Sequence, residues 1–539
     1  MRSLRRIAAL FALFSVGFIS VSMATAQDAV FQYTATAPTK KGMATAYLWI
    51  PPQAQTIRGV VIGGMTLAER ELARDAIIRK ACADEQLAIV FANSGLASFD
   101  VQRLLDDLAK ASGYRELAVV PLFFVGHSAG GPQAKALAAT FADRCFGLMQ
   151  YRGGAPSWDP PVPPGIPSLM MLGQFDEFGK AMMRDENGRE NWENGRDEMI
   201  KYRGIDSNNL GNIVIEPGAG HYAWSDRNAA YLALYLRKAA KARIGAITGD
   251  ETAPIQCKPI DVASGWLTDL TIKATEHAPA PYGEYAGDKA RAGWLFDREL
   301  ADATMAYHQG MTKKDQFIRW TDLGVDENAQ RFFFESLKWV GDGQTFEFHP
   351  VYAERYRKTP KTGTGPRWAT PGEPVGHSQA PILVRTVGGP YVAVGPNRYR
   401  MKFDALSPAI NSGRGTFLAY SEGDADYRYT EVVGMTPRNF AGITSGKEQT
   451  IAFPPVGDLR VDGGPIALKA TSDSGLPVEY YVVSGPAVIE KGSLKLAEVP
   501  HRAAFPLEVR VVAYQFGRGV EPTIKTATPV EQVVRVVRP

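Results

Sequence analysis

The run Gly126-His127-Ser128-Ala129-Gly130-Gly131 sets a serine in a tight glycine turn. A serine hydroxyl becomes a useful nucleophile only when a neighbouring base takes its proton. Residues 27 to 250 contain two histidines, His127 and His221. His127 directly precedes the serine inside the turn, which should aim its side chain elsewhere. Elimination leaves His221, in Pro217-Gly218-Ala219-Gly220-His221-Tyr222, as the base. An acid must then orient the imidazole and stabilise its charged form. Asp176 and Glu177 follow the apolar run 167–172, and Asp159 follows the run before it. Asp159 is succeeded by Pro160 and Pro161, a stretch better suited to a rigid turn. The tetrahedral intermediate of such a reaction carries an oxyanion that needs preorganised N–H donors. The N–H of Ala129, after the serine and at a helix start, is one of them.

The surrounding pattern supplies the elements that must hold these groups. Residues 119–125 form an apolar run that reads as a buried parallel strand. After Pro132, Ala134, Leu137, Ala138 and Phe141 recur at helical spacing. The turn therefore lies between a strand and a helix, and its serine is pushed out above the sheet. Further strands are expected at 44–50, 59–62, 87–92, 147–150, 167–172 and 213–215. Helices are expected at 67–83, at 101–111 and after Ser225, where Ala229, Leu232, Ala233, Leu236 and Ala240 share a face. Strands separated by helices predict an α/β chain with a doubly wound, mostly parallel sheet, whose site lies at the carboxyl ends of its strands. The segment 179–203, rich in charge, Asn and Gly, reads as a solvated surface insertion or as a lid or pocket wall.

The G-x-S-x-G turn in this strand–helix context resembles the nucleophile elbow of the α/β-hydrolase superfamily, over residues 27–250. The resemblance implies a triad of Ser128, Asp176 and His221, in the superfamily's chain order. It also implies the backbone of Met65, in Gly63-Gly64-Met65, as the second oxyanion donor beside Ala129. Gly63 stands where a histidine is often found, which puts a lipase-like subfamily in doubt. These glycines could also serve only close packing of strand and helix. The expected activity is that of a serine hydrolase, favouring carboxylic esters and working through an acyl-enzyme. A serine peptidase or acyltransferase could use the same triad. A surface binding or adhesion protein with a vestigial hydrolase domain is a further alternative, which the complete Ser, Asp and His set argues against.

After residue 250 the texture changes. Residues 251–447 form a β-rich middle region, whose stretch 320–447 reads as an all-β module. Its aromatics, among them Trp320, Trp339, Trp368 and Tyr391, are core residues or a stacking platform for sugars. Sugar esters and polymer-linked esters therefore stand beside small esters as candidate substrates. In residues 448–539, Ala470-Thr471-Ser472-Asp473-Ser474-Gly475-Leu476-Pro477-Val478 leads into Tyr480-Tyr481-Val482-Val483-Ser484-Gly485-Pro486-Ala487. That run resembles the Ig-like repeat of bacterial surface and secreted proteins and implies a β-sandwich. Independently of it, Leu507, Val509, Val511 and Ala513 alternate as one buried strand face. The residues before 250 are expected to close their own core, so that a chain ending near Ser445 keeps its turnover.

Composition bounds the rest. The chain has 539 residues, 45% hydrophobic and 22% charged, as in ordinary globular proteins of more than one domain. Residues 1–26 differ: Arg2, Arg5 and Arg6 precede an apolar run from Ile7 to Val21, and Ala24-Thr25-Ala26 offers a small-residue cleavage site. That is the pattern of a signal peptide, so an exported mature chain without a transmembrane segment is expected. Removing it takes three of the 60 basic residues and leaves 57 against 57 acidic ones. A balanced chain without a basic stripe speaks against nucleic acid as a partner. Cys82, Cys145 and Cys257 are too few for a disulfide scaffold. No metal or cofactor is expected, since no H-E-x-x-H, cysteine pair or phosphate-binding glycine loop with lysine is present.

Overall fold

The structure, a computed structural model, describes residues 29–40, 42–64, 67–153, 158, 161–176, 191–247, 250–273, 275–321, 334, 336–356, 372–407, 415–437, 440 and 442–538. Residues 1–26, which the sequence reads as a signal peptide, lie outside them, as do Met65, Asp159, Glu177 and Trp368.

Among the described residues eight strands form the central sheet: β1 (Tyr33–Thr39), β2 (Gly42–Trp49), β3 (Gly59–Gly64), β4 (Leu87–Ala92), β5 (Leu122–His127), β6 (Cys145–Tyr151), β7 (Ser168–Gly173) and β8 (Gly211–Glu216). Their spatial order is β1-β2-β4-β3-β5-β6-β7-β8. β2 pairs antiparallel with both β1 and β4, and the other five pairings are parallel. This is the α/β-hydrolase arrangement. β3 to β8 are buried at every residue, which requires cover on both faces and explains their nearly continuous apolar sequences. β1 is absent from the sequence reading. Its Thr-Ala alternation carries little apolar signal, and Pro38 suits only the edge position it occupies.

Among the described residues seven α-helices occur: α1 (Leu67–Arg74), α2 (Ala76–Asp84), α3 (Val101–Ser112), α4 (Gly130–Thr140), α5 (Asn191–Ile205), α6 (Asp226–Arg243) and α7 (Arg298–His308). The single helix expected over 67–83 is two. Asp75 takes an extended conformation and caps α2, its carboxylate accepting from the N–H groups of Ile77 (2.8 Å) and Ile78 (3.1 Å). Ser225 caps α6 in the same way, through Asn228 N–H at 3.2 Å. The described part of 179–203 belongs to α5, which buries Trp192, Met199, Tyr202 and Arg203, so it is packed structure rather than a solvated insertion. Among the described residues no helix is long and apolar enough to cross a membrane. Cys82, Cys145 and Cys257 are unbridged, the first two buried.

Antiparallel sheets make up most of the rest. Strands Trp339–Val340, Thr345–Glu347, Arg398–Met401 and Tyr391–Gly395 form one, and Leu383–Val387, Thr416–Ser421 and Thr430–Met435 another. Between them Trp320, Phe346, Phe348, Tyr391, Tyr399 and Phe417 form an aromatic core, with Trp339 half-buried against it. Trp320 and Tyr391 are thus core rather than a sugar-stacking surface. Beyond residue 448 a four-stranded sheet, which includes Leu507–Tyr514, accompanies a three-stranded one. Leu507, Val509, Val511 and Ala513 are buried, as their alternation predicts. From Val512 onward the other face is buried as well, because Val512 and Tyr514 join the aromatic core of the preceding region.

The expectation of a self-contained core before residue 250 meets a different picture. The buried cluster of the central sheet continues through Ala405, Leu406 and Leu418 into Leu507, Val509 and Val536. Arg502 donates to Gln55 O (3.1 Å), Glu116 Oε1 (3.1 Å) and Gly113 O (3.2 Å), and Gly485 N–H donates to Phe31 O at 2.9 Å. A chain ending at Ser445 keeps Ala405, Leu406 and Leu418 but loses the contacts of Gly485, Arg502, Leu507, Val509 and Val536. Its thermal midpoint should fall by roughly 5 °C or more, with turnover falling alongside. Calorimetry of the full and shortened chains checks this, and equal midpoints would show that residues 29–445 close their own core.

Candidate active site

The turn joining β5 to α4 is strained at one residue. Ser128 has φ +54°, a left-handed conformation that costs a non-glycine residue on the order of 1–3 kcal/mol. Both flanking glycines are required by space. A Cβ on Gly126 would collide with the Gly130 carbonyl, and one on Gly130 with the Glu69 carboxylate. The chain can therefore reverse from strand to helix over two residues and leave Ser128 half-exposed at the end of a buried strand. Its N–H faces the carbonyls of Tyr151 and Arg152, both at 3.2 Å, and its carbonyl accepts from Gly131 N–H at 3.0 Å.

Asp176 and His221, on the loops after β7 and β8, are brought together. Nδ1 of His221 lies 2.9 and 2.8 Å from the two Asp176 carboxylate oxygens, with His221 1% and Asp176 5% exposed. A carboxylate only accepts, so the imidazole proton is on Nδ1, and the neutral ring keeps its lone pair on Nε2, the atom a general base uses. His221 is tied to the elbow by its backbone: its carbonyl accepts from His127 Nε2 at 2.9 Å, and the two rings lie 4.7 Å apart. A carbonyl cannot donate, so His127 carries its proton on Nε2. Burial, and then the neighbouring His221, hold the His127 pKa well below the usual histidine value, and it stays neutral. Ala129 opens α4 and is exposed, its N–H at the helix start. β3 ends at Gly64, so the turn expected to supply the second donor begins there.

No family model matches the chain, and no curated protein does. Solved structures resemble its N-terminal two-fifths. A cold-adapted esterase from an Arctic intertidal metagenomic library is 14% identical, over 38% of this chain and 92% of its own, with a TM-score of 0.26. A hyperthermophilic esterase from Pyrobaculum calidifontis is 12% identical, over 40% and 86%, at 0.29. An S-formylglutathione hydrolase from Agrobacterium tumefaciens is 14% identical, over 40% and 97%, at 0.28. At these scores the likenesses carry no weight for the chemistry, which is argued from the residues themselves.

Sequence reasoning missed several supporting groups. Glu69, 2% exposed on α1, accepts the His127 N–H at 2.7 Å and so holds the elbow from a neighbouring connection. Behind the histidine loop, Arg152 and Glu216 form a buried ion pair. Asn228 donates to Glu216 Oε2 and to the Tyr151 hydroxyl, both at 2.9 Å, while the Tyr307 hydroxyl donates to Asn228 Oδ1 at 2.8 Å. Burial opposes the Arg152 charge, but Tyr151 and Glu216 outweigh it and hold its pKa above the ordinary value. A charged residue in a helix or at a strand end ordinarily reads as solvated, so no sequence signal marks these.

Two predictions follow from this packing. Glu69→Ala leaves the His127 N–H unsatisfied and should cost about 1–3 kcal/mol in denaturant unfolding, with Glu69→Gln costing less. An equal cost for both would mean that packing, not acceptance, is what Glu69 supplies. The second concerns pH. Burial lowers His308 from 6.5 to about 4, its Nε2 accepting Ile215 N–H at 3.3 Å, and it lowers His127 as well. Unfolded histidine takes up a proton below about 6.5 while these folded ones do not, so stability should fall as pH drops from 6.5 towards 4. Each histidine contributes a slope of at most about 1.4 kcal/mol per pH unit. Denaturant titrations between pH 7 and 5 should show this slope reduced in His308→Gln.

Proposed function

We propose that this chain is an exported serine hydrolase that cleaves carboxylic esters through an acyl-enzyme on Ser128. One observation carries the reading: a buried Asp176–His221 pair, hydrogen-bonded through Nδ1 and tied by backbone to the strained turn that presents Ser128. Export is supported by the composition of residues 1–26 alone.

In the proposed reaction Ser128 Oγ attacks the ester carbonyl carbon while His221 Nε2 takes its proton. Asp176 holds the ring in the required tautomer and stabilises the imidazolium. The oxyanion develops against the Ala129 N–H at the helix start and the backbone N–H of Met65. As the tetrahedral intermediate collapses, His221 returns the proton to the departing alcohol oxygen and the acyl group stays on Ser128. Water then attacks the acyl carbon, losing a proton to His221, and the acid leaves as Ser128 Oγ recovers that proton. The substrates in view are small or polymer-linked esters.

A fluorophosphonate probe should label the mature protein at Ser128, located by peptide mass spectrometry, and a panel of nitrophenyl esters should be turned over. Ser128→Ala and His221→Ala should each reduce kcat by about 10⁴-fold or more, and the double variant should be little worse, since these groups act as a unit. Labelling elsewhere, or losses that multiply in the double variant, would overturn the mechanism.

A further inference from the structure

The loops that carry the acid and the base are held from outside the central sheet. Gln174, two residues before Asp176, accepts the Gly218 N–H through Oε1 at 3.0 Å, joining the acid loop to the histidine loop. The same Oε1 accepts from Arg428 Nη1 at 2.7 Å, and the Arg428 guanidinium lies over the Phe175 ring, 5.3 Å from its centre. Arg428 is itself fixed by an ion pair with Asp315, and its carbonyl accepts from Gln316 Nε2 at 2.7 Å. Three residues on, Glu431 Oε1 accepts the N–H of Gly220, the residue before His221, at 2.8 Å. Its other oxygen accepts from the Tyr429 hydroxyl and faces Arg385 Nη2 at 3.6 Å. Between these two points Gly218, at φ +71°, sits against the Tyr429 carbonyl, where any Cβ would collide.

Each contact lands on backbone or on a side chain beside the reacting pair, and none lands on the reacting atoms. We propose that Glu431 and Arg428 are positioning residues for the triad, Glu431 setting the histidine loop and Arg428 the acid loop. This rests on the serine-hydrolase reading and extends it: the β-rich region after residue 320 is part of the catalytic machinery rather than an appended module. Catalysis by proton transfer depends on sub-ångström placement, so a loop that relaxes by about 1 Å can lose about 100-fold in rate while still binding substrate. The buried Glu431 side chain is 2% exposed, and burial pushes its carboxyl pKa up with Arg385 opposing. Whether charged or neutral, its Oε1 accepts the Gly220 N–H, so glutamine is the conservative replacement and alanine the disruptive one.

The test uses the full chain and three variants. Glu431→Ala should lower kcat about 10- to 100-fold with KM changed less than about threefold, and Glu431→Gln should recover to within about threefold of the parent. Tyr47→Phe removes a different contact between the same regions, Tyr47 OH to Ala405 O at 3.0 Å, and should leave kcat unchanged. A second readout needs no substrate: the downfield proton resonance of the His221 Nδ1–H to Asp176 bond should broaden or move in Glu431→Ala and persist in Tyr47→Phe. Unchanged kcat and resonance in Glu431→Ala, with the parent labelled at Ser128, would overturn this inference alone. A parent that is neither labelled nor active would instead overturn the hydrolase reading. Equal losses in Glu431→Ala and Tyr47→Phe would reduce Glu431 to general support of the fold.

Discussion

The left-handed turn at Ser128 is the constraint to which the rest of the structure answers. A strand must end and a helix begin within two residues, with the Gly130 carbonyl occupying the space of a side chain at Gly126. Such a conformation persists only where its surroundings over-determine it. Here the surroundings are the centre of the sheet: β3 and β6 pair on either side of β5, Glu69 accepts the His127 N–H, and the carbonyls of Tyr151 and Arg152 face the Ser128 N–H. The serine inherits its position from strands that are buried along their whole length.

The loops after β7 and β8 bond to each other, with Phe175 N–H donating to Ala219 O at 2.9 Å, and they lean on side chains from elsewhere as well. They are stabilised by buried polar groups on both sides, with Arg152, Glu216 and Asn228 behind them and Arg428, Glu431 and Arg385 in front. Buried ion pairs add little net stability, because desolvation offsets much of the attraction. Their directional hydrogen bonds do fix which loop conformation is occupied, and that is the property an acid–base pair requires. A neutral His127 fits this arrangement: it links the strand before Ser128 to the loop of His221 without adding a charge beside that imidazole.

Much of this was legible in the sequence, for identifiable reasons. The buried strands of the central sheet announce themselves as apolar runs, and the elbow by glycines that close approach demands. His221 stands out by elimination and by following the last strand. Asp176, with Glu177 and Asp159 as alternatives, stands out by following a strand where the resemblance implies an acid. The structure brings Asp176 and His221 into contact. β1 escaped because its Thr-Ala alternation is nearly featureless, and the break at Asp75 because its cap lies inside an otherwise continuous helical pattern. Glu69, Arg152 and Glu431 were invisible for a different reason. Their meaning depends on partners distant in the chain, and a single sequence carries no trace of such pairings. The doubly buried half of strand Leu507–Tyr514 belongs to the same class, since only a neighbouring region's aromatics cover its second face.

The span of these contacts also sets an order of events. Glu431 lies 211 residues after Gly220, and Arg428 lies 254 after Gln174. At about 5–20 residues per second, the ribosome needs on the order of 10–40 s to travel from the histidine loop to the residues that brace it. Contacts of such separation close late, because the entropy of the intervening chain must be lost first. For that interval the polypeptide contains Ser128, Asp176 and His221 but not the residues whose side chains bond to the two loops. The connectivity therefore places the bracing of the two loops after the loops themselves in the order of synthesis.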